Sequence, residues 1–212
     1  MNYGDLPIDL GVHNVECKEM MFYQYLPIKL IGNVNPVFED RLKCFSDLIG
    51  VSCCDFIAKN GLDNYVNSNV YLTVKHLYQM PNCSFNRFGF HSDGFLTGDI
   101  NYVWCNVLPT VFNSTDFKLT LDDEVSIKEM DWQADKRLNV VYPENSLLRL
   151  NQFNIHKVNE MEFKGMRTFF KLSFSKDQYD LVGNSHNYLL DYNWEMKSRK
   201  EQRNIPQTIN YS

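Results

Sequence analysis

Residues 87–95 read RFGFHSDGF. An aromatic, strand-like run ends in His91; one residue further on stands Asp93, with Gly94 behind it. In an extended chain, residues two apart project to the same side, so this imidazole and this carboxylate can reach one metal ion. A buried apolar strand gains nothing from such a pair. The competing account is a surface turn, since Asp followed by Gly is good turn chemistry. A metal needs a third ligand from elsewhere, and among His13, His76, His156 and His186 the sequence singles out His156. It closes SLLRLNQFNIHKV, read as one strand. On that strand Leu148, Leu150, Gln152, Asn154 and His156 share a face, and Phe153 and Ile155 take the other. Polar residues gather on the His156 side.

Two imidazoles and one carboxylate on one face of an octahedron leave three metal positions open, the arrangement of the facial triad of non-haem Fe(II) sites. Arg167 follows His156 by eleven residues and opens the strand-like RTFFKLSFS. A buried arginine at a strand start is unfavourable unless it meets an anion, and its planar fork matches a carboxylate.

The elements that must hold these residues are mostly strands. NVYLTVKHLYQM, FNRFGFHSD, INYVWCNVLPTVF, FKLTL, LNVVYP, SLLRLNQFNIHKV and RTFFKLSFS are rich in β-branched and aromatic residues, and turn-forming segments separate them. Short strands at this spacing predict an antiparallel sandwich or barrel. Before them, residues 35–61 carry a helical stripe of Phe38, Leu42, Phe45, Ile49, Cys53 and Phe56. Asn35 is the expected cap, Pro36 the first helical residue, and Lys59 and Gly61 mark the end. The expected organisation is one domain. Residues 1–67 supply N-terminal strands and a buttressing helix, 68–176 the β core, and 177–212 an extension. The charged EMKSRKEQRN near the end reads as a solvated helix or a loose end.

With 212 residues and 44% hydrophobic content, the chain can bury a substantial core without staples. Its net charge of -5 disfavours non-specific nucleic-acid binding, which depends on phosphate neutralisation. Six cysteines without a CxxC pair read as scattered reduced thiols. The start lacks a basic region followed by an apolar run, and no apolar run approaches the length of a membrane span, so a cytoplasmic location is expected.

The ordered set His91-x-Asp93, then about sixty residues, His156, then Arg167, resembles the Fe(II)/2-oxoglutarate-dependent dioxygenase superfamily over roughly residues 68–176. The resemblance implies a mainly β fold with flanking helices, the double-stranded β-helix, a jelly-roll or cupin-like barrel. It implies that His91, Asp93 and His156 bind Fe(II), that Arg167 pairs with the distal carboxylate of 2-oxoglutarate, and that O2 is the oxidant. Tyr102, on the strand after the turn, is the expected hydroxyl donor to 2-oxoglutarate. Many members carry Ser two residues after the arginine. This chain has Phe169 there, leaving Thr168 and Ser173 as substitutes. Halogenating relatives replace the triad carboxylate by a small residue, so Asp93 points to a hydroxylase. The substrate is left open among a small metabolite or amino acid, a protein residue and a nucleobase. Two other readings stand beside this one: a cupin-like metalloenzyme without 2-oxoglutarate, and a non-catalytic β-sandwich interaction module.

Overall fold

The structure is a computed structural model describing residues 2–81, 83–84, 89–159, 163–199 and 207–208, with 83–84 and 207–208 as backbone. In chain order the elements begin with β1 (Ile8–Val12), β2 (Met21–Lys29), a 3-10 turn (Asp40–Phe45), α1 (Ser46–Asn60) and α2 (Leu62–Val66). There follow β3 (Asn69–Gln79), β4 (Cys83–Ser84), β5 (Ile100–Cys105), β6 (Val111–Asn113), α3 (Asp123–Gln133) and a 3-10 turn (Lys136–Leu138). The chain ends with β7 (Asn139–Val141), β8 (Ser146–Leu150), β9 (His156–Lys157), β10 (Gly165–Ser175) and β11 (Gln207–Thr208).

Two antiparallel sheets carry the fold. The larger has the order β1-β8-β5-β10-β3-β2, and the smaller β7-β6-β9. β3 and β10 form its long axis, paired without a slip from Gly165↔Gln79 to Ser175↔Asn69. An isolated antiparallel bridge joins His91 to His156 and so adds a fourth chain segment beside β9. β4 and β11 form a separate two-residue pair. From β3 onward the chain passes back and forth between the main sheets, with β6 and β7 successive in the smaller one. β3, β5, β8 and β10 lie in the larger one, and His91, β6, β7 and β9 in the smaller.

Strand alternation divides the larger sheet into two chemically different faces. On β10, Phe170, Leu172 and Phe174 join Tyr102 and Trp104 of β5 in a core with Leu42, Phe45, Leu48, Ile49, Cys53 and Phe56. Phe45 stacks on Phe170 at 5.8 Å and Phe56 on Phe174 at 4.2 Å. Each such fully buried ring contributes about 1.5–3 kcal/mol by the apolar area withdrawn from water. The opposite face carries Val103, Leu148 and Leu150, which pack on Phe112 of the smaller sheet, with Phe169 and Tyr142 alongside. The two sheets therefore face each other across this cluster.

Several expectations change. The helix begins later than Asn35: Ile49, Cys53 and Phe56 of the expected stripe lie on α1, Leu42 and Phe45 on the preceding 3-10 turn, and Phe38 in irregular chain. The chain at 36–39 is not helical, and Val37 donates its N–H to the Ile28 carbonyl at the end of β2. That tertiary bond overrides the cap that Asn35 and Pro36 suggested. Gly61 ends α1 as expected, with φ of 85°. Residues 117–121, expected as a strand, are irregular, and α3 follows unannounced. Its signal was present, since the Asp122 side chain caps the Val125 N–H at 2.9 Å and acids fill the first turn. SLLRLNQFNIHKV is not one strand. Asn151 and Asn154 cross-bond each other's backbone region, and the turn they build carries the chain from β8 to β9 in the other sheet. INYVWCNVLPTVF likewise splits into β5 and β6, broken by Leu108 at φ of 52° and by Pro109. Lys197 bridges to Leu181, and 195–199 are not helical; the rest of the charged run lies outside the described residues.

The thiols are not all scattered, because the Cys17 and Cys44 sulfurs lie 3.5 Å apart, both half-buried. No helix among the described residues is long and apolar enough to cross a membrane.

Candidate metal centre

His91 and His156 are partners in an antiparallel ladder. Each donates its N–H to the other's carbonyl at 2.9 Å, so their side chains emerge on one face of the smaller sheet. The ring centroids are 4.6 Å apart. Both rings are oriented by the same device. Nδ1 of His91 bonds the Gly89 carbonyl at 3.1 Å, and Nδ1 of His156 bonds the Asn154 carbonyl at 2.9 Å. A carbonyl only accepts, so each Nδ1 carries a proton and Nε2 is the ring nitrogen left for a metal to take.

Asp93 arrives from a tight turn. Gly94 adopts φ of 75°, and a Cβ built there lies 2.7 Å from Thr97 Oγ1 and 3.1 Å from Asp99 Cβ, so only glycine fits. The turn is pinned from the β8–β9 connection. Ser92 Oγ donates to the Gln152 carbonyl at 2.6 Å, and Leu96 N–H donates to Gln152 Oε1 at 3.0 Å. Gln152, read from the sequence as facing a barrel interior, thus holds the turn in place. Helix α3 supports the same segment, because Asp131 Oδ1 accepts the Phe90 N–H at 3.2 Å.

His91, Asp93 and His156 each offer one ligand atom, all within 4.8 Å of one another. His156 Nε2 and Asp93 Oδ2 are 3.5 Å apart, near the separation of about 3 Å that two adjacent ligands take at metal bonds of about 2.1 Å. Two neutral imidazoles and a carboxylate suit a divalent transition metal. Burial works to raise the Asp93 carboxyl. The Lys171 ammonium, then His156 and His91, outweigh it and hold the group well below the usual carboxylate range. Lys171 Nζ sits 2.7 Å from Asp93 Oδ2.

Arg167 is 7% exposed and projects from β10 on the same face as Phe169 and Lys171. Nε donates to the Val107 carbonyl at 3.2 Å and an Nη2 proton to the Leu108 carbonyl at 3.1 Å. No carboxylate pairs with it among the described residues. Lys75 of β3, buried and opposite Phe169 in the ladder, faces the same way. Neither Lys75 nor Lys171 stood out in the sequence. Both sit inside β-rich runs; alternation puts Lys171 on the face of Arg167, and the strand pairing adds Lys75 to it.

Tyr102 is not with these residues, which corrects its expected place beside 2-oxoglutarate. It pairs with Leu172 on the face covered by α1, and its hydroxyl donates to Asp55 Oδ2 at 2.8 Å, beside the Arg149–Asp55 ion pair at 2.7 Å. Burial and that carboxylate push the phenol far above its ordinary range. Thr168 also faces outward and meets His76 Nδ1 at 2.8 Å. Ser173 faces inward and donates to Asn101 Oδ1 at 2.6 Å. Arg87, close to the triad in sequence, lies outside the described residues. The chain matches no known family, no curated protein and no solved structure.

Proposed function

We propose that this chain is an Fe(II)- and 2-oxoglutarate-dependent oxygenase acting as a hydroxylase. The observation that carries the reading is the convergence of His91, Asp93 and His156, distant in sequence, with both imidazoles oriented by Nδ1 bonds to backbone carbonyls. The alternation of successive strands between two facing sheets supports a double-stranded β-helix as the frame. Arg167 supports the cosubstrate. It is a buried guanidinium, four residues along β10 from Lys171 at the triad, a distance of about 13 Å of strand. A five-carbon diacid together with the arginine side chain can bridge that span.

In this reading His91, Asp93 and His156 hold the metal on one face, and Arg167 receives the distal carboxylate. The apolar wall of Val103, Leu148, Leu150 and Phe112 limits water beside them. Bound Fe(II) supplies the redox chemistry that couples oxidative decarboxylation of 2-oxoglutarate by O2 to oxidation of a C–H bond. The protein's contribution is orientation. The Nδ1 bonds fix the rings, and Gly94 with Gln152 fixes Asp93.

Anaerobic addition of Fe(II) and then 2-oxoglutarate tests the proposal. A weak visible charge-transfer band, abolished in His156→Ala, is the expected result, followed by succinate formation on admitting air. No band and no succinate from folded, metal-loaded protein would refute it. One observation favours a second reading. Arg167 already serves two backbone carbonyls, as a structural strut in a cupin-like metalloenzyme without 2-oxoglutarate would.

A further inference from the structure

Lys171 lies at the middle of β10, between Thr73 of β3 and Val103 of β5 in the ladder. It is 7% exposed, and its ammonium lies 5.6 Å from the centroid of the Tyr25 ring. The Asp93 oxygen that it bonds at 2.7 Å is the same Oδ2 that stands 3.5 Å from His156 Nε2. One carboxylate oxygen therefore faces both an ammonium and the position where a metal would complete its bonds to His156. A buried carboxylate without a cation is unfavourable, and in the metal-free protein the Lys171 ammonium, 2.7 Å away, is the countercharge that Asp93 faces. A divalent ion on Asp93 changes the balance. Two cations then crowd one carboxylate in a site of low effective dielectric, and their repulsion is strong.

We infer that Lys171 is a positioning residue that couples metal binding to the binding of a carboxylate ligand chelating that metal. Without metal it guards Asp93. With metal seated, the ammonium turns from Asp93 to the carboxylate that arrives on the metal's open positions. The metal alone binds against the ammonium, and the metal with its anion binds with the ammonium's help. This rests on the metal reading above.

The test is calorimetric titration of Co(II) into metal-stripped wild-type, Lys171→Met and Lys171→Arg proteins, alone and with saturating oxalate. Oxalate chelates through carboxylates and is too short to reach Arg167; succinate, a poor chelator, is the control. Oxalate by itself strengthens metal binding, so the decisive quantity is the difference between proteins. We expect Lys171→Met to bind Co(II) alone about ten-fold more tightly than wild type, and its oxalate enhancement to be more than about ten-fold smaller, so that with oxalate it binds more weakly than wild type. Lys171→Arg, which keeps the charge, should retain most of the enhancement, and succinate should enhance in no protein. Equal Co(II) affinity and equal oxalate enhancement in wild type and Lys171→Met would overturn the inference and leave the metal site standing. Co(II) binding that is absent, or indifferent to His156→Ala, would instead remove the metal reading and this inference with it. Should Lys171→Met lose its native near-ultraviolet circular dichroism, Lys171→Gln replaces it with the same expectations.

Discussion

Replacing Arg167 with methionine tests the dicarboxylate reading at a single side chain. A guanidinium carries five N–H donors, and the Val107 and Leu108 carbonyls take two of them. The remainder can form a fork with one carboxylate. Hydrogen bonds to charged groups contribute about 1.5–3 kcal/mol each. Allowing for desolvation of the carboxylate, a net contribution of about 3 kcal/mol follows, a factor of about 150 in Kd. Arg167→Met should therefore weaken 2-oxoglutarate about 100-fold in anaerobic titration of the Fe(II)-loaded protein. Pyruvate keeps the 2-oxo acid group and lacks the distal carboxylate, so wild type and variant should bind it alike. The substitution also strips the half-buried Val107 and the buried Leu108 carbonyls of this donor, a loss of about 1–3 kcal/mol in stability where a buried one is left unsatisfied, so urea unfolding must first establish that the variant is folded. Arg167→Lys places a point charge without the fork and should fall between the two. Unchanged preference for 2-oxoglutarate over pyruvate in a folded Arg167→Met refutes the reasoning and leaves Arg167 as a strut for the Val107–Leu108 loop.

Three other outcomes are expected. Tyr102→Phe should lose about 1 kcal/mol of stability, or about 2–4 °C in Tm, because Asp55 forfeits one hydrogen bond; its 2-oxoglutarate titration should match wild type, and a large loss of affinity would return Tyr102 to the site. Gly94→Ala places a Cβ 2.7 Å from Thr97 Oγ1 at φ of 75°. It should destabilise by about 1–3 kcal/mol and weaken Co(II) at the triad by moving Asp93, an expectation that fails if urea midpoint and Co(II) affinity are both unchanged. Buried Lys29, bonded to the Ser68 carbonyl at 2.6 Å, has its amine lowered by burial to about 8. Just above that pH the unfolded chain binds the extra proton, so stability rises with pH, whereas below it the amine is charged in both states and its burial penalty stands in full. Cys53, pushed up to about 11, opposes this once thiols begin to ionise. Urea midpoints should therefore climb between about pH 8 and about pH 9 in wild type and flatten in Lys29→Met; a flat wild type contradicts the assignment.

Much of this could be read from residue order alone. The 3.6-residue recurrence of Leu42, Phe45, Ile49, Cys53 and Phe56 announces a helical segment, whose first two members fall on the 3-10 turn and last three on the buried side of α1. The β-branched and aromatic runs announce β3, β7 and β10 nearly to their ends. His91, Asp93 and His156 were identifiable because their chemistry is rare on strands and their order is distinctive. Local signals failed where a distant backbone intervened. Val37 is taken by Ile28 and delays the helix, while the Asn151–Asn154 turn breaks what alternation presents as a single strand.

The sequence by itself determined the periods, two for the strands and near four for α1, and with them which residues share a side of each element. It could not determine which side faces what. Alternation places Tyr102 and Trp104 together, but only the docking of α1 on one face of the larger sheet sends them into that core, leaving Val103 to face the smaller sheet. Pairing across strands, invisible in residue order, set Lys75 on the face that Arg167 and Lys171 share, and the packing of the Asp93 turn against that face brought Lys171 to Asp93. Side-chain direction is a local consequence of backbone geometry, whereas contact depends on how separate elements are laid against one another.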